Sequence, residues 1–126
     1  MKIKRVIAPF AVLALFVGAG YYLVKPGAEE ALGTHPGGDV THMKIADISE
    51  LHAGETVAIH GEITLMCQTT GCWAVVRDET GEIRIDTQKG GFALPPRSVG
   101  SHIDVVGEVE LTENRTPLIS AYWAQL

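Results

Sequence analysis

The sequence has few features of an enzyme or of a nucleic-acid-binding protein. Only two cysteines occur among its 126 residues, which excludes a scaffold of several disulfides. Gly-x-Ser-x-Gly, His-Glu-x-x-His and phosphate-loop motifs are absent, so we expect no enzymatic activity. Basic residues are scarce after Lys25: this part of the chain contains six basic residues and all fifteen acidic residues. Such an acidic chain repels phosphate backbones, so nucleic acid is not an expected partner.

Long hydrophobic runs are lacking except at the N-terminus. Residues 6–24 carry no charge and follow a start that contains Lys2, Lys4 and Arg5. At ~1.5 Å per helical residue, this run approaches the ~30 Å thickness of a bilayer core. The positive-inside rule predicts a single-pass anchor in the inner membrane over residues 1–25, with the remaining chain in the periplasm or outside the cell. Signal cleavage, which would leave a soluble periplasmic protein, is the alternative.

The rest of the chain divides into two segments. Residues 26–42 are rich in glycine, proline and small polar residues, which is typical of a flexible tether. Residues 43–126 alternate apolar and polar residues in short runs separated by glycine-containing turns, which predicts a β-domain. The predicted strands are Thr56–Cys67, Cys72–Asp78, Glu82–Asp86, His102–Glu110 and Pro117–Ala124.

An all-β, five-stranded, OB-like Greek-key barrel fits this order of strands. Three strands follow one another closely, and a long connection over residues 87–100 precedes the last two. Phe92 and Leu94 supply an apolar plug within that connection. An SH3-like barrel is the alternative architecture.

The first two predicted strands form a hairpin whose register follows from the side chains. Pairing Cys67 with Cys72 places chemically compatible residues opposite one another. The other pairs in this register are Ile63 with Val76, Leu65 with Ala74, Met66 with Trp73, and Glu62 with Arg77.

Several short motifs occur in an order found in one known family. They are Gly61-Glu62-Ile63, Met66-Cys67-Gln68, Gly71-Cys72-Trp73, Gly91-Phe92-Ala93-Leu94-Pro95 and Val105-Val106-Gly107-Glu108-Val109. This pattern, centred on a cysteine, four residues and a Cys-Trp pair, resembles the bacterial envelope OB-fold family catalogued as domain of unknown function 4920. The resemblance implies an exported OB fold and no settled activity.

Cys67 and Cys72 are the main candidate site. Residues opposed in a hairpin have Cα atoms about 4.5–5.5 Å apart, which a disulfide accepts. Because exported proteins meet oxidising machinery, a structural disulfide is one expectation. The protein would then be an assembly module that binds an envelope protein or another ligand.

A soft-metal site is the other main hypothesis for the same cysteines. Two thiolates, with the Met66 thioether and the His60 imidazole, are ligands that copper or zinc accepts. This hypothesis predicts a metal-handling accessory protein. Thiol–disulfide exchange is a third hypothesis. The sequence argues against it, because it provides no helix N-terminus of the kind that activates Cys-x-x-Cys motifs.

Three aromatic residues form a candidate ligand platform. Trp73, Phe92 and Trp123 are of the type on which OB folds stack bases or sugars. The alternative is that these rings fill the core and rim of a barrel that has few other large side chains.

Overall fold

The computed structural model describes residues 31–126. Its strands are β1 (Ala31–Gly33), β2 (Thr41–His42), β3 (Thr56–Met66), β4 (Trp73–Arg77), β5 (Glu82–Asp86), β6 (His102–Leu111) and β7 (Pro117–Gln125). Two short 3₁₀ helices, Ile45–Asp47 and Glu50–His52, precede β3. In this part of the chain no helix has the length and hydropathy needed to cross a membrane. The predicted anchor over residues 1–25 lies outside the described residues.

Five strands close into a barrel. β3 pairs antiparallel with β4 and with β6, and β4 pairs antiparallel with β5. β7 closes the circle because it runs parallel to β5 on one side and antiparallel to β6 on the other. The predicted all-β, five-stranded barrel is therefore confirmed. Each of the five predicted strands is present, with its ends within one residue of the expected positions.

The core is built from the inward face of each strand. Successive side chains of a strand point to opposite faces, so one apolar set from every strand meets inside the barrel. Burial of each large aliphatic side chain contributes about 1.5–3 kcal/mol. Among the most deeply buried are Ile59, Ile63, Ile85, Ile103 and Ile119. From the connection between β5 and β6, Leu94 is buried and Phe92 packs against the core, as expected.

A β-bulge in β3 changes the predicted hairpin register. Ile63 lies opposite Val76 as predicted, but the pairing then shifts, and Leu65 lies opposite Val75. Met66 consequently pairs with Ala74, not with Trp73. The predicted direct opposition of Cys67 and Cys72 is wrong, because one extra residue in β3 moves Cys67 out of step with its expected partner.

The segment predicted as a flexible tether contains two strands. β1 pairs antiparallel with the end of β7, and β2 pairs parallel with the start of β3. Both strands cover stretches of β7 and β3 that extend beyond their neighbours β5 and β4. The prediction missed them because they attach through backbone hydrogen bonds and carry no alternating apolar pattern. Gly33 allows this attachment, since a Cβ there would lie 2.2 Å from the Tyr122 carbonyl oxygen.

Candidate functional site

The loop between β3 and β4, residues Cys67–Cys72, carries both cysteines and is called the cysteine loop below. Its two ends are joined by a hydrogen bond in which the Cys67 amide donates to the Trp73 carbonyl at 3.0 Å. Within the loop, the Gly71 amide donates to the Cys67 carbonyl at 3.2 Å. Gly71 has a φ of +63°, a conformation that residues with a Cβ rarely adopt. The chain therefore turns back sharply immediately before Cys72.

The connection between β5 and β6 is hydrogen-bonded to the cysteine loop. The Gly71 carbonyl accepts a hydrogen bond from the Leu94 amide at 2.9 Å and another from the Thr87 hydroxyl at 3.3 Å. The Thr87 amide donates to the Cys72 carbonyl at 2.9 Å. Because Thr87 and Leu94 are both buried, these bonds fix the backbone of Gly71 and Cys72 to the core.

The sulfur atoms of both cysteines contact one hydroxyl group. Cys67 Sγ lies 3.2 Å from Thr70 Oγ1, and Thr70 Oγ1 donates to Cys72 Sγ at 3.0 Å. Cys67 Sγ also lies 3.3 Å from Thr69 Oγ1. Both cysteines are half-buried, and their sulfur atoms are not bonded to each other. The cysteine loop thus brings the two sulfurs together around Thr70, even though the two residues are not opposed in the hairpin.

The cysteine loop stabilises the ionised form of Cys67. Hydrogen bonds from the Thr69 hydroxyl, the Thr70 hydroxyl and the backbone N–H groups of both threonines lower the pKa of the Cys67 thiol to about 5. Donors aimed at a sulfur favour its thiolate over its thiol. Cys67 is therefore a thiolate at neutral pH.

This activation is the feature that sequence reasoning missed. The cysteine loop has no helix N-terminus, but its own amides and hydroxyl groups surround Cys67 in the manner of an anion-binding turn. The signal available in the sequence was the pair Thr69-Thr70 between the two cysteines, since threonine is a short donor close to the backbone.

The predicted four-ligand metal site is not assembled. Met66 is 3% exposed and packs in the hydrophobic core. His60 lies on the outer face of β3, where its Nδ1 is 2.7 Å from Asp104 Oδ1 and its ring stacks on His102. Within residues 31–126, no three His, Cys, Asp or Glu residues are grouped so that they could hold a metal ion. The two cysteine sulfurs remain as a pair without the predicted Met66 and His60.

The three rings of the predicted ligand platform have different neighbours. Trp73 carries the Arg84 guanidinium over its face, 5.2 Å from the ring centre. The Phe92 ring packs on the backbone beside Gly33 and Gly90. Trp123 makes an edge contact with His35 at 5.0 Å and lines an open cavity of about 420 Å³. Each ring thus has its own set of neighbours, and a shared ligand platform stays a prediction.

Comparison with known proteins finds likenesses among solved structures. No protein-family model matches the sequence, and no curated protein matches it. Among solved structures, the chain is similar to the hypothetical protein ygiW from E. coli, with 23% sequence identity and a TM-score of 0.45. The match covers 71% of this chain and 94% of that chain.

Proposed function

We propose that the protein is a membrane-tethered, extracytoplasmic barrel of the OB type that binds Cu(I) through Cys67 and Cys72. The strand order supports the OB type, because three consecutive antiparallel strands are followed by a long connection and by two further strands, the last of which closes the barrel. The basic start and the uncharged run over residues 6–24 support the tether in the inner membrane. The resemblance to domain of unknown function 4920 supports the extracytoplasmic location.

The contact of both sulfurs with Thr70 Oγ1 is the observation that carries the metal proposal. Thiolates are soft ligands that suit both Cu(I) and Zn(II). Cu(I) accepts coordination by two thiolates, whereas a structural zinc ion almost always takes four ligands. Because no third ligand of the usual kinds groups with the two sulfurs in residues 31–126, the pair favours Cu(I) over Zn(II).

Ionisation of Cys67 supports the same proposal. A metal ion competes with the proton for a thiol, so a thiol that is already ionised binds metal more tightly at neutral pH. The threonine hydroxyls and amides that stabilise the Cys67 thiolate therefore prepare one of the two ligands before the metal arrives.

A competition titration tests this function. Reduced full-length protein, kept in detergent, is mixed with a coloured Cu(I) chelator and titrated with Cu(I). We expect one Cu(I) per chain, and we expect loss of competition in Cys67→Ser and in Cys72→Ser. His60→Ala is the matched control and should bind as the native protein does. If the native protein fails to compete, or if both serine variants still compete, Cu(I) binding through this pair is wrong.

The second candidate is an envelope assembly module in which the cysteines form a structural disulfide. Leu65 is the observation behind it, because this large apolar side chain is 54% exposed two residues before Cys67, where a partner bound beside the cysteine loop would cover it. Alkylation of the protein as isolated from its own membranes separates the two candidates. Thiols that react only after reduction indicate the disulfide, and thiols that react or carry copper without reduction indicate the metal-binding pair.

A further inference from the structure

Thr70 lies between the two sulfurs and has one hydroxyl proton to share. Its Oγ1 is 3.2 Å from Cys67 Sγ and 3.0 Å from Cys72 Sγ. A hydroxyl group donates one hydrogen bond and can accept two. In the structure the Thr70 hydroxyl donates to Cys72 Sγ, and the same proton can turn to Cys67 Sγ while Cys67 is ionised. Once Cys67 loses its charge, the proton can return to Cys72.

We propose that Cys67, Thr70 and Cys72 form a thiol–disulfide exchange centre, in which Cys67 reacts with the substrate, Cys72 resolves the mixed disulfide and Thr70 positions both sulfurs. The substrate class is a dithiol or disulfide of another molecule. This activity goes beyond metal binding and does not depend on it. The two cysteines have unequal roles because the Thr69 hydroxyl lies 3.3 Å from Cys67 Sγ in addition to the Thr70 hydroxyl that both sulfurs contact.

The exchange is balanced in two steps. In the first, the Cys67 thiolate attacks one sulfur of a substrate disulfide; a bond forms between these sulfurs, and the electron pair of the broken bond leaves on the other substrate sulfur. In the second, Cys72 attacks Cys67 Sγ, and the electron pair of the mixed disulfide leaves on the remaining substrate sulfur. One proton from Cys72 and one from the solvent convert the two departing thiolates to thiols. The protein dithiol is oxidised and the substrate disulfide is reduced.

Thr70 has a specific effect on the second step. Formation of the mixed disulfide removes the negative charge from Cys67, so its hydrogen bond from Thr70 loses about half of its strength. The hydroxyl then donates to Cys72 Sγ, the contact that the structure contains, and stabilises the thiolate that must attack. Thr69 contacts the sulfur of Cys67 and not that of Cys72. It therefore has no such effect on Cys72.

The preferred direction follows from the same contacts. Donors that stabilise the Cys67 thiolate stabilise the dithiol form of the protein, and a stabilised dithiol makes its disulfide a stronger oxidant. The pair therefore donates its disulfide to substrate dithiols more readily than an ordinary cysteine pair does. Removal of the Thr69 hydroxyl should shift the dithiol–disulfide equilibrium toward the disulfide by about tenfold, the effect of one hydrogen bond to a charged group.

Glutathione disulfide is a suitable probe for the test. Full-length protein is incubated with it in the presence of a metal chelator, and intact mass follows bound glutathione. We expect Cys72→Ser to accumulate one glutathione on Cys67, at a rate at least tenfold above that of Cys72 in Cys67→Ser. The native protein should release the glutathione as it forms the Cys67–Cys72 disulfide. Equal capture rates in the two serine variants would overturn the assigned roles.

Substitutions at Thr70 test its positioning role. Thr70→Val keeps the shape of the side chain without the hydroxyl, and it should slow release of glutathione about 10- to 100-fold, so that the mixed disulfide accumulates. Thr70→Ser restores the hydroxyl and should restore release. Thr69→Val is the matched control, which should alter capture and equilibrium but not release. Release that is as fast in Thr70→Val as in the native protein would contradict the role, and the serine variants still decide the exchange if Thr70→Val does not fold.

The outcome of the glutathione assay does not depend on copper binding. The chelator removes metal from the exchange assay, while the copper titration uses protein held reduced. Thr70→Val retains both sulfurs and should still bind Cu(I). A protein that exchanges disulfides without binding Cu(I), or the reverse, identifies which of the two proposals is wrong.

Discussion

Leu65 and Met66 are consecutive residues of β3, yet the Leu65 side chain is 54% exposed and Met66 is 3% exposed. Alternation alone would place Leu65 on the same face as the buried Ile63. The bulge after Ile63 shifts this pattern by one residue, so that Met66 faces the core and Leu65 the outer surface.

The bulge predicts unequal costs for two neighbouring substitutions. Met66→Ala should lower the free energy of unfolding by about 2–4 kcal/mol, since it creates a cavity in the core. Leu65→Ala should change it by less than about 0.5 kcal/mol, as is usual at exposed positions. Urea denaturation of the two variants measures both values. The opposite order of costs would mean that β3 pairs with β4 without the bulge.

Substitution by alanine should cost more stability at Gly71 than at Gly91, which serves as the control. Both glycines have positive φ, +63° and +73°. A Cβ on Gly71 would lie 2.4 Å from the Leu94 carbonyl oxygen, whereas a Cβ on Gly91 would meet nothing within 4 Å. Gly91→Ala should cost about 1 kcal/mol through backbone strain. Gly71→Ala should cost about 2–4 kcal/mol, because the clash adds to the strain. Equal losses of stability would contradict the close contact with Leu94.

The Cys67 thiolate predicts a pH dependence of reactivity and of stability. The rate of alkylation of Cys67, measured in Cys72→Ser, should rise with a midpoint near pH 5 because the donors of the cysteine loop lower its pKa to about 5. The unfolded thiol ionises near pH 8.5. Stabilisation from Cys67 is therefore fully present above that pH and is lost as the pH falls toward 5. A midpoint above pH 8 would contradict the hydrogen bonds from Thr69 and Thr70.

Asp78 predicts a loss of stability in acid. Burial raises the pKa of this carboxyl group, but hydrogen bonds from the Thr80 hydroxyl and from the amides of Ile45, Thr80 and Gly81 lower it to about 2. Its contribution is thus present above the ordinary pKa of about 3.9 and is lost as the pH falls toward 2. Asp78→Asn should cost about 1–3 kcal/mol at neutral pH, measured by urea denaturation.

The comparison for Asp78 is Glu79, which is exposed and pairs with Lys44. Glu79→Gln should cost less than about 1 kcal/mol, as is typical of exposed ion pairs. If the two variants lose the same stability, the hydrogen bonds of Asp78 do not hold the turn between β4 and β5 to the first 3₁₀ helix.

Most of the barrel could be predicted from the sequence, because alternation identifies strands wherever one face is buried. The bulge could not, since Leu65 and Met66 are both apolar and either could face the core. β1 and β2 also could not, because backbone pairing leaves no side-chain pattern. The cysteines could be identified as the site, but the convergence of both sulfurs on Thr70 depends on the turn at Gly71 and on its contacts with a distant segment.

The short strands β1 and β2 also have a consequence for solubility. The parts of β7 and β3 that they cover would otherwise present unpaired amide and carbonyl groups. Exposed strand edges of this kind recruit strands from other molecules and begin aggregation. A protein shortened to start after His42 would keep its five-stranded barrel and its cysteine pair, but would expose two unpaired strand edges. By covering these two edges, residues 31–42 thus oppose self-association.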